Sequence, residues 1–387
     1  MMRESTTGAN NDEMSGAIYD VIIVGGGPAG LSTALALCRY SKLRVAIVEA
    51  TAFDNFRPGE HVSGSLLPFL EYLEVGKNDF EKYHLAVYGS YAAWGSSNLV
   101  SRESLLSQYG NTYQLDRSHF DSCLVKCLAD AGATVLPRTR CQACSSTPDG
   151  GWQVTLTHPE WGEFALSCRY FVDATGRQSL TTRKQHIEQK HYDRLVGVGA
   201  MLNFDSDRSL SHDILVETVP EGWWYSAAIP NHRLVVVLFT DADIASKLKA
   251  NSPNIWPSLL SATEHTKRRA SGGIARGKPW IRTAFSHIVE DDGLRNWSLV
   301  GDAAVAFDPI SSMGIGFAVS SGCNLARSIQ HYLETSDDCL LKTYHQDLDR
   351  LFHDYLLQRY RYYSLEQRWC DRPFWQRRNV PPKPLIQ

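Results

Sequence analysis

Residues Asp20 to Glu49 read DVIIVGGGPAGLSTALALCRYSKLRVAIVE. The apolar β-branched run Val21 to Val24 predicts a strand, the glycines a tight turn, Leu31, Leu35 and Leu37 a helix from about Pro28, and Val45 to Val48 a second strand closing on an acid. Farther along, Ser65 to Leu73 has the spacing of an amphipathic helix and Tyr88 to Trp94 reads as an aromatic strand. Asp116 or Ser118 can cap a helix carrying Phe120, Leu124 and Leu128 on one face, with Gly132 ending it. Trp152 to Thr157 and Phe164 to Cys168 alternate as an antiparallel pair, and the stretch beginning at Tyr170 enters a turn at Asp173-Ala-Thr-Gly-Arg. Leu195 to Phe204, Asp213 to Thr218, Gly222 to Ile229 and Arg233 to Thr240 predict an antiparallel sheet with a helical segment, Ile244 to Thr263, across it. A short strand returns at Trp297, a helix starts near Ser312, and the chain is helical from Cys339 to about Trp375.

The first turn carries chemistry. Gly25, Gly27 and Gly30 have the G-x-G-x-x-G spacing of a dinucleotide fold: a sharp turn, close approach of a pyrophosphate, and tight helix–strand packing. Pro28 and Ala29 open a helix whose free N–H groups and positive dipole end suit phosphate, and Glu49, about 20 residues on, suits two ribose hydroxyls. This unit is expected to bind FAD or NAD.

Composition narrows the class. At 387 residues with net charge −3, the chain has room for two or three domains and no overall basic surface, so nucleic acid is not an expected partner. Nine scattered cysteines do not form a disulfide framework; all are expected reduced and buried, Cys123 and Cys127 on one helix face, with no metal at Cys141-x-x-Cys144. Residues 1–16 are polar and expected to be disordered, and no run approaches a membrane span, so a cytoplasmic protein is expected.

Two more strand ends repeat the theme: Asp173 and Gly176 in DATGR, and Gly301 with Asp302 before the helix near Gly314 and Ile315. Strands of a parallel sheet present ligand groups at their carboxyl ends, so the three can converge on one long cofactor. Asp302 is placed for a ribityl hydroxyl, and the helix past Gly314 aims N–H groups at a flavin. These motifs, with Arg117 in LDRSHFD and Arg57 in FRPGEH, resemble the glutathione-reductase-type FAD fold of single-component flavin monooxygenases, geranylgeranyl reductases and tryptophan halogenases. The resemblance covers the chain after Ile18. It implies an α/β protein: a Rossmann FAD-binding domain over 17–182, with a substrate-side excursion near 85–105, and over 288–335; an inserted antiparallel substrate domain over 183–287; and a C-terminal helical region over 336–387.

Within that group, GWWYSAAIP (Gly222 to Pro230) and the aromatic end YYSLEQRWCDRPFWQRR look like the LodB, GoxB and QhpG type, flavoproteins that mature tryptophylquinone cofactors in partner enzymes. That resemblance implies hydroxylation of a tryptophan residue on a separate quinoprotein oxidase or dehydrogenase precursor, using FAD and O2. No second glycine fingerprint follows for NAD(P)H, which as reductant would dock transiently. Halogenase features are missing: Tyr225 and Ala227 stand where both tryptophans of W-x-W-x-I-P belong, Ser311 and Met313 replace the glutamate and threonine of E-P-L-E-S-T-G-I, and between Glu60 and Trp94 the only lysines are Lys77 and Lys82. Glu60, His61 and Tyr225 are the catalytic candidates. Arg372, Arg377 and Arg378 with Trp369, Phe374 and Trp375 suit either a partner interface or a clamp over the FAD domain. A hydroxylase of a free aromatic metabolite and a flavoprotein chaperone are the alternatives.

Overall fold

The computed structural model describes residues 16–76, 82–103, 112–185, 187–290 and 295–382; most of the segment expected to be disordered, and Lys77, lie outside them. Ile18–Val24 is buried along most of its length because it has a parallel neighbour on each side, Val45–Val48 and Gly162–Asp173. The full order of this sheet is Thr134–Leu136, Val45–Val48, Ile18–Val24, Gly162–Asp173, Trp152–His158, Arg140–Ser146, with Trp297–Leu299 also alongside Gly162–Asp173. Strand Gly162–Asp173 makes this sheet mixed. Its second half runs parallel to Ile18–Val24 and Trp297–Leu299, while its first half pairs antiparallel with Trp152–His158, as its alternating sequence predicts. The carboxyl ends at Val24, Asp173 and Leu299 therefore lie together, the juxtaposition that a ligand across a parallel sheet requires.

Four long helices frame this sheet: α1 (Pro28–Tyr40), α2 (Arg117–Asp130), α3 (Gly314–Thr335) and α4 (Cys339–Tyr363). Asp116 is the cap of α2, its carboxylate accepting from the His119 N–H at 3.2 Å. Helices α1 and α3 pack backbone to backbone at Gly322, where a Cβ would stand 2.8 Å from the Ala29 carbonyl oxygen. The start of α3 is Gly314, two residues past the expected Ser312, because Ser312 is held left-handed at the end of the preceding turn. Of the predicted Ser65 to Leu73 helix, Leu67–Tyr72 is α-helical after one 3₁₀ turn.

The second sheet runs Ile274–Ala275, Leu195–Asn203, Arg233–Asp241, Gly222–Ile229, Ile214–Val219, Gly89–Ala93, Val100–Glu103, with Trp280–Thr283 also against Leu195–Asn203. It is mixed rather than purely antiparallel. Gly89–Ala93 joins Ile214–Val219 in parallel, which their long separation in sequence allows because no hairpin links them. The helical segment predicted at Ile244 to Thr263 is three short helices, Ala242–Leu248, Ile255–Ser261 and His265–Ala270, the first ended by left-handed Lys249. Trp224 packs on this side, edge-on to Trp256 with ring centroids 5.5 Å apart.

The aromatic end is a clamp, but on the second sheet rather than the FAD domain. The α-helix stops at Tyr363, and after a turn Phe374 and Trp375 are fully buried, with the Trp375 indole donating to the Val219 carbonyl at 3.0 Å. Arg378 is buried against Asp241 at 2.8 Å, and Arg377 bridges Asp241 and Asp243. Phe374, Trp375 and Arg378 are therefore core, which removes them from any docking surface; Arg372 stays exposed and Trp369 half-buried. The cysteines are all free, but only Cys144, Cys168 and Cys323 are buried, contrary to the expectation that all are; Cys38, Cys123, Cys127 and Cys141 are half-buried and Cys339 and Cys370 exposed. No helix among the described residues is long and apolar enough to cross a membrane.

Candidate flavin site and substrate cavity

Between the two sheets lies a cavity of about 410 Å³. Its cofactor side is mostly backbone. Gly27, Pro28 and Ala29 at the start of α1, Ala174 and Gly176 after Asp173, Val300 and Asp302 after Leu299, and Gly314 and Ile315 at the start of α3 all line it. Neither α1 nor α3 has a side-chain cap or an acid in its first turn, so both offer N–H groups to the same space. A Cβ on Gly27 or Gly314 would meet nothing within 4 Å, whereas one on Gly25 would stand 2.2 Å from the Ala174 carbonyl oxygen and one on Gly30 2.0 Å from that of Gly25. Gly25, at φ +115°, and Gly30 thus build the turn, and Gly27 and Gly314 leave the approach open. Two uncapped helix N-termini over glycine suit a pyrophosphate and an electron-rich flavin edge, so the residues present fit FAD.

The predicted cofactor side chains divide into two groups. Glu49 accepts from the Gly26 N–H at 2.8 Å and pairs with Arg57 at 3.0 Å, and Arg57 also donates to the Gly26 carbonyl at 2.8 Å and pairs with Asp121 at 3.2 Å. Arg57 therefore stands at the turn and the ribose acid instead of lining the main cavity. Arg117 lines the cavity and ties down the loop before Glu60 by donating to the Pro58 and Gly59 carbonyls at 3.0 and 3.1 Å. Asp173, expected to touch the cofactor, is turned inward: fully buried, it accepts from Thr175 N–H, Thr175 Oγ1 and Thr181 N–H at 2.9, 2.6 and 2.7 Å. Three donors fix the turn that presents Ala174 and Gly176, so Asp173 supports the site without facing it. Gly301 likewise shapes the strand end at φ +60°. Asp302 lines the cavity and is held by Arg177 at 3.1 Å.

The opposite wall consists of side chains arranged by strand register. One rung across three strands is Gly197–Phe239–Trp223 and the next is Gly199–Val237–Tyr225, with Trp280 opposite Gly199 on the far side. Alternation sends Trp223 and Tyr225 inward and Trp224 outward, as the sequence predicts. Phe239 stacks on Trp223 at 4.3 Å, and Trp280 lies over Gly199, where a Cβ would come within 2.4 Å of its ring. Trp280, Phe239 and Arg177 were not among the expected site residues. The signal was present in LVGVGAMLN: two glycines on one strand face mark room for a bulky ring above them.

Glu60, His61 and Tyr225 are brought together on this cavity. Glu60 is almost fully buried, its Oε1 has no partner, and burial pushes its carboxyl up to about 7 against the pull of Arg117. Burial pushes His61 down to about 4, and its Nδ1 lies 3.4 Å from the Gln114 amide nitrogen, so at neutral pH the ring is uncharged. Burial, then the charge of Glu60, raise the Tyr225 hydroxyl, which stays protonated. Behind the wall, the Trp223 indole donates to the Tyr363 hydroxyl at 2.9 Å, which donates to buried Asp308 at 2.8 Å; Arg359 spans Asp308 and Asp193. This network joins α4 to the turn before α3. It was not foreseen, since Trp223 lies 140 residues and Asp308 55 residues before Tyr363.

A Rossmann-type sheet with this backbone cradle and a second sheet closing over it defines a flavoprotein oxidoreductase. Residues 18–355 match the FAD binding domain family, and the chain belongs to it. It is an FAD-dependent oxidoreductase similar to LodB of Marinomonas mediterranea, an FAD-dependent oxidoreductase, with which it is 38% identical over 94% of this chain and 97% of that one. The flavin-dependent halogenase CmlS shares the fold at TM-score 0.83 and 20% identity, covering 95% of this chain and 68% of its own. A peptidyl tryptophan dihydroxylase essential for tryptophylquinone cofactor biogenesis, QhpG, shares it at TM-score 0.68 and 22% identity over 96% of this chain and 80% of its own.

Proposed function

We propose that this enzyme is a monooxygenase that hydroxylates a tryptophan residue of a partner oxidase or dehydrogenase precursor, as a step of tryptophylquinone formation. The observation that carries this reading is the buried Glu60 carboxyl, with its Oε1 unpartnered, on a cavity walled by Trp223, Tyr225, Phe239 and Trp280. Reduced FAD with O2 supplies an electrophilic oxygen to such a site, with NAD(P)H as the transient reductant. The wall orients an indole by offset and edge-on ring contacts and keeps water out. Glu60, balanced near neutrality, takes the proton that the ring carbon releases once oxygen is attached; His61, pushed down to about 4, is the weaker base beside it, and Tyr225 offers a hydroxyl donor to the ring's new oxygen. Among the described residues no lysine lines the cavity, and Met313 and Ser311 flank the start of α3 where halogenases carry threonine and glutamate. That argues for hydroxylation over halogenation.

The test is the intact mass of the partner precursor expressed with and without this enzyme. Gain of one or two oxygen atoms on the active-site tryptophan supports the reading. Gain of chlorine restores the halogenase. An unchanged mass with a stable complex favours a flavoprotein chaperone, and an unchanged mass without binding favours a free aromatic metabolite as substrate.

A further inference from the structure

The C-x-x-C pair, Cys141 and Cys144, takes no part in the flavin or substrate site. In a regular strand residues three apart point to opposite faces. Here strand Arg140–Ser146 carries a bulge: Cys141 pairs with Leu156, Ala143 with Thr155 and Cys144 with Val154, leaving Gln142 as the extra residue. Because Leu156 and Val154 both face the core, the bulge turns both cysteines to that same face, and Gln142 and Ala143 both point out and are exposed. The Cys141 thiol donates to the Ala143 carbonyl at 3.5 Å, and the two thiols are close enough to perturb each other, Cys141 being raised and Cys144 lowered. Among the described residues the strand is the outer edge of its sheet, with no further strand paired on its far side to resist a small local shift.

Cys144 also leads back to the cofactor turn. Its side chain lies beside Thr181, whose buried hydroxyl has no hydrogen-bond partner, and its carbonyl accepts from Gln185 Nε2 at 2.9 Å. Thr181 N–H in turn holds Asp173, whose turn presents Ala174 and Gly176 to the cavity.

We infer that Cys141 and Cys144 are a peroxide-sensitive dithiol that closes to a disulfide and thereby loosens FAD. Hydrogen peroxide is the two-electron product formed when reduced flavin meets O2 without transferring oxygen, so the enzyme idling without substrate is exposed to it. One thiol is oxidised to a sulfenic acid as the O–O bond breaks and one water leaves; the other sulfur then displaces the hydroxyl as a second water. Two thiols and one peroxide give one disulfide and two waters. Drawing Cys144 toward Cys141 takes its sulfur from Thr181 and slackens the Asp173 turn. The peroxide source rests on the oxygenase reading; the pair itself does not.

The experiment adds hydrogen peroxide to the holoenzyme from outside, so a failed oxygenase assignment leaves it unaffected. Peptide mapping without reductant is expected to show loss of two hydrogens across Cys141 and Cys144, reversed by dithiothreitol, and a several-fold faster release of FAD followed by flavin fluorescence. Cys141→Ser is expected to bind FAD normally and to lose the peroxide response, and Cys144→Ser to lose the disulfide in the peptide map. Oxygen addition to either cysteine without a disulfide, or a disulfide at Cys123–Cys127, overturns the assignment. A disulfide at the pair that leaves FAD release unchanged overturns the coupling.

Discussion

The two walls of the cavity are built on opposite principles. On the cofactor side, recognition is by backbone: open glycines, two uncapped helix ends and a buried aspartate that only holds a turn. On the substrate side it is by side chains, with Trp223, Tyr225, Phe239 and Trp280 set by register across four strands and braced from behind by α4. A pyrophosphate can be held by N–H groups that any sequence supplies, provided the backbone can approach. An aromatic ring needs matching side-chain shape. The first wall therefore tolerates little change at glycine, and the second is free to vary in chemistry while the fold stays.

The most severe separation of the two walls should come from Gly30→Glu. With the Gly25 carbonyl 2.0 Å from the new Cβ, the turn cannot form, and the purified protein is expected to be colourless. Retained yellow flavin absorbance would show that the cradle is not where FAD sits. On the other wall, Glu60→Gln should keep the flavin and lower turnover by about 10²–10⁴-fold, the range for loss of a positioned general base. In the wild type, activity should rise with pH through about 7 as Glu60 ionises, and that limb should vanish in the variant. A limb that persists assigns it to another group.

Removing the brace comes next. Arg378→Met leaves Asp241 buried with only half-exposed Arg377, at a cost of about 3–5 kcal/mol in urea unfolding, with FAD still bound at low urea. Equal loss of flavin and brace at one midpoint would mean that the two walls unfold as one. Smaller still, Tyr363→Phe strands the buried Trp223 indole and one Asp308 oxygen contact, about 1–3 kcal/mol, with an effect on substrate KM and none on flavin content.

Glu60 also links pH to stability. Its folded carboxyl is raised from 4.5 to about 7, so the folded state holds a proton that the unfolded state has lost. Stability is highest below about 4.5 for this group and falls as pH rises to 7, by at most about 3 kcal/mol. Urea titrations of wild type and Glu60→Gln across that range should converge at the acid end; parallel curves would mean that Glu60 is not the responsible group.

By itself the sequence determined the cofactor wall, because its information is local: glycine spacing, a helix start at Pro28 and an acid at Glu49 lie within 30 residues and have one steric solution. It also determined which face Trp223 and Tyr225 share, since strand alternation is local too. Tertiary structure decided the rest. Asp173 lies in a motif that reads as a ligand contact, but whether its carboxylate faces the cavity or the turn depends on Thr175 and Thr181 being in reach. Whether the Arg and Trp residues of the C-terminal end are surface or core was open until Asp241, 137 positions before Arg378, supplied a buried partner. Contacts of that span leave no periodicity in the chain, because burial is a property of what packs against a residue and not of the residue alone.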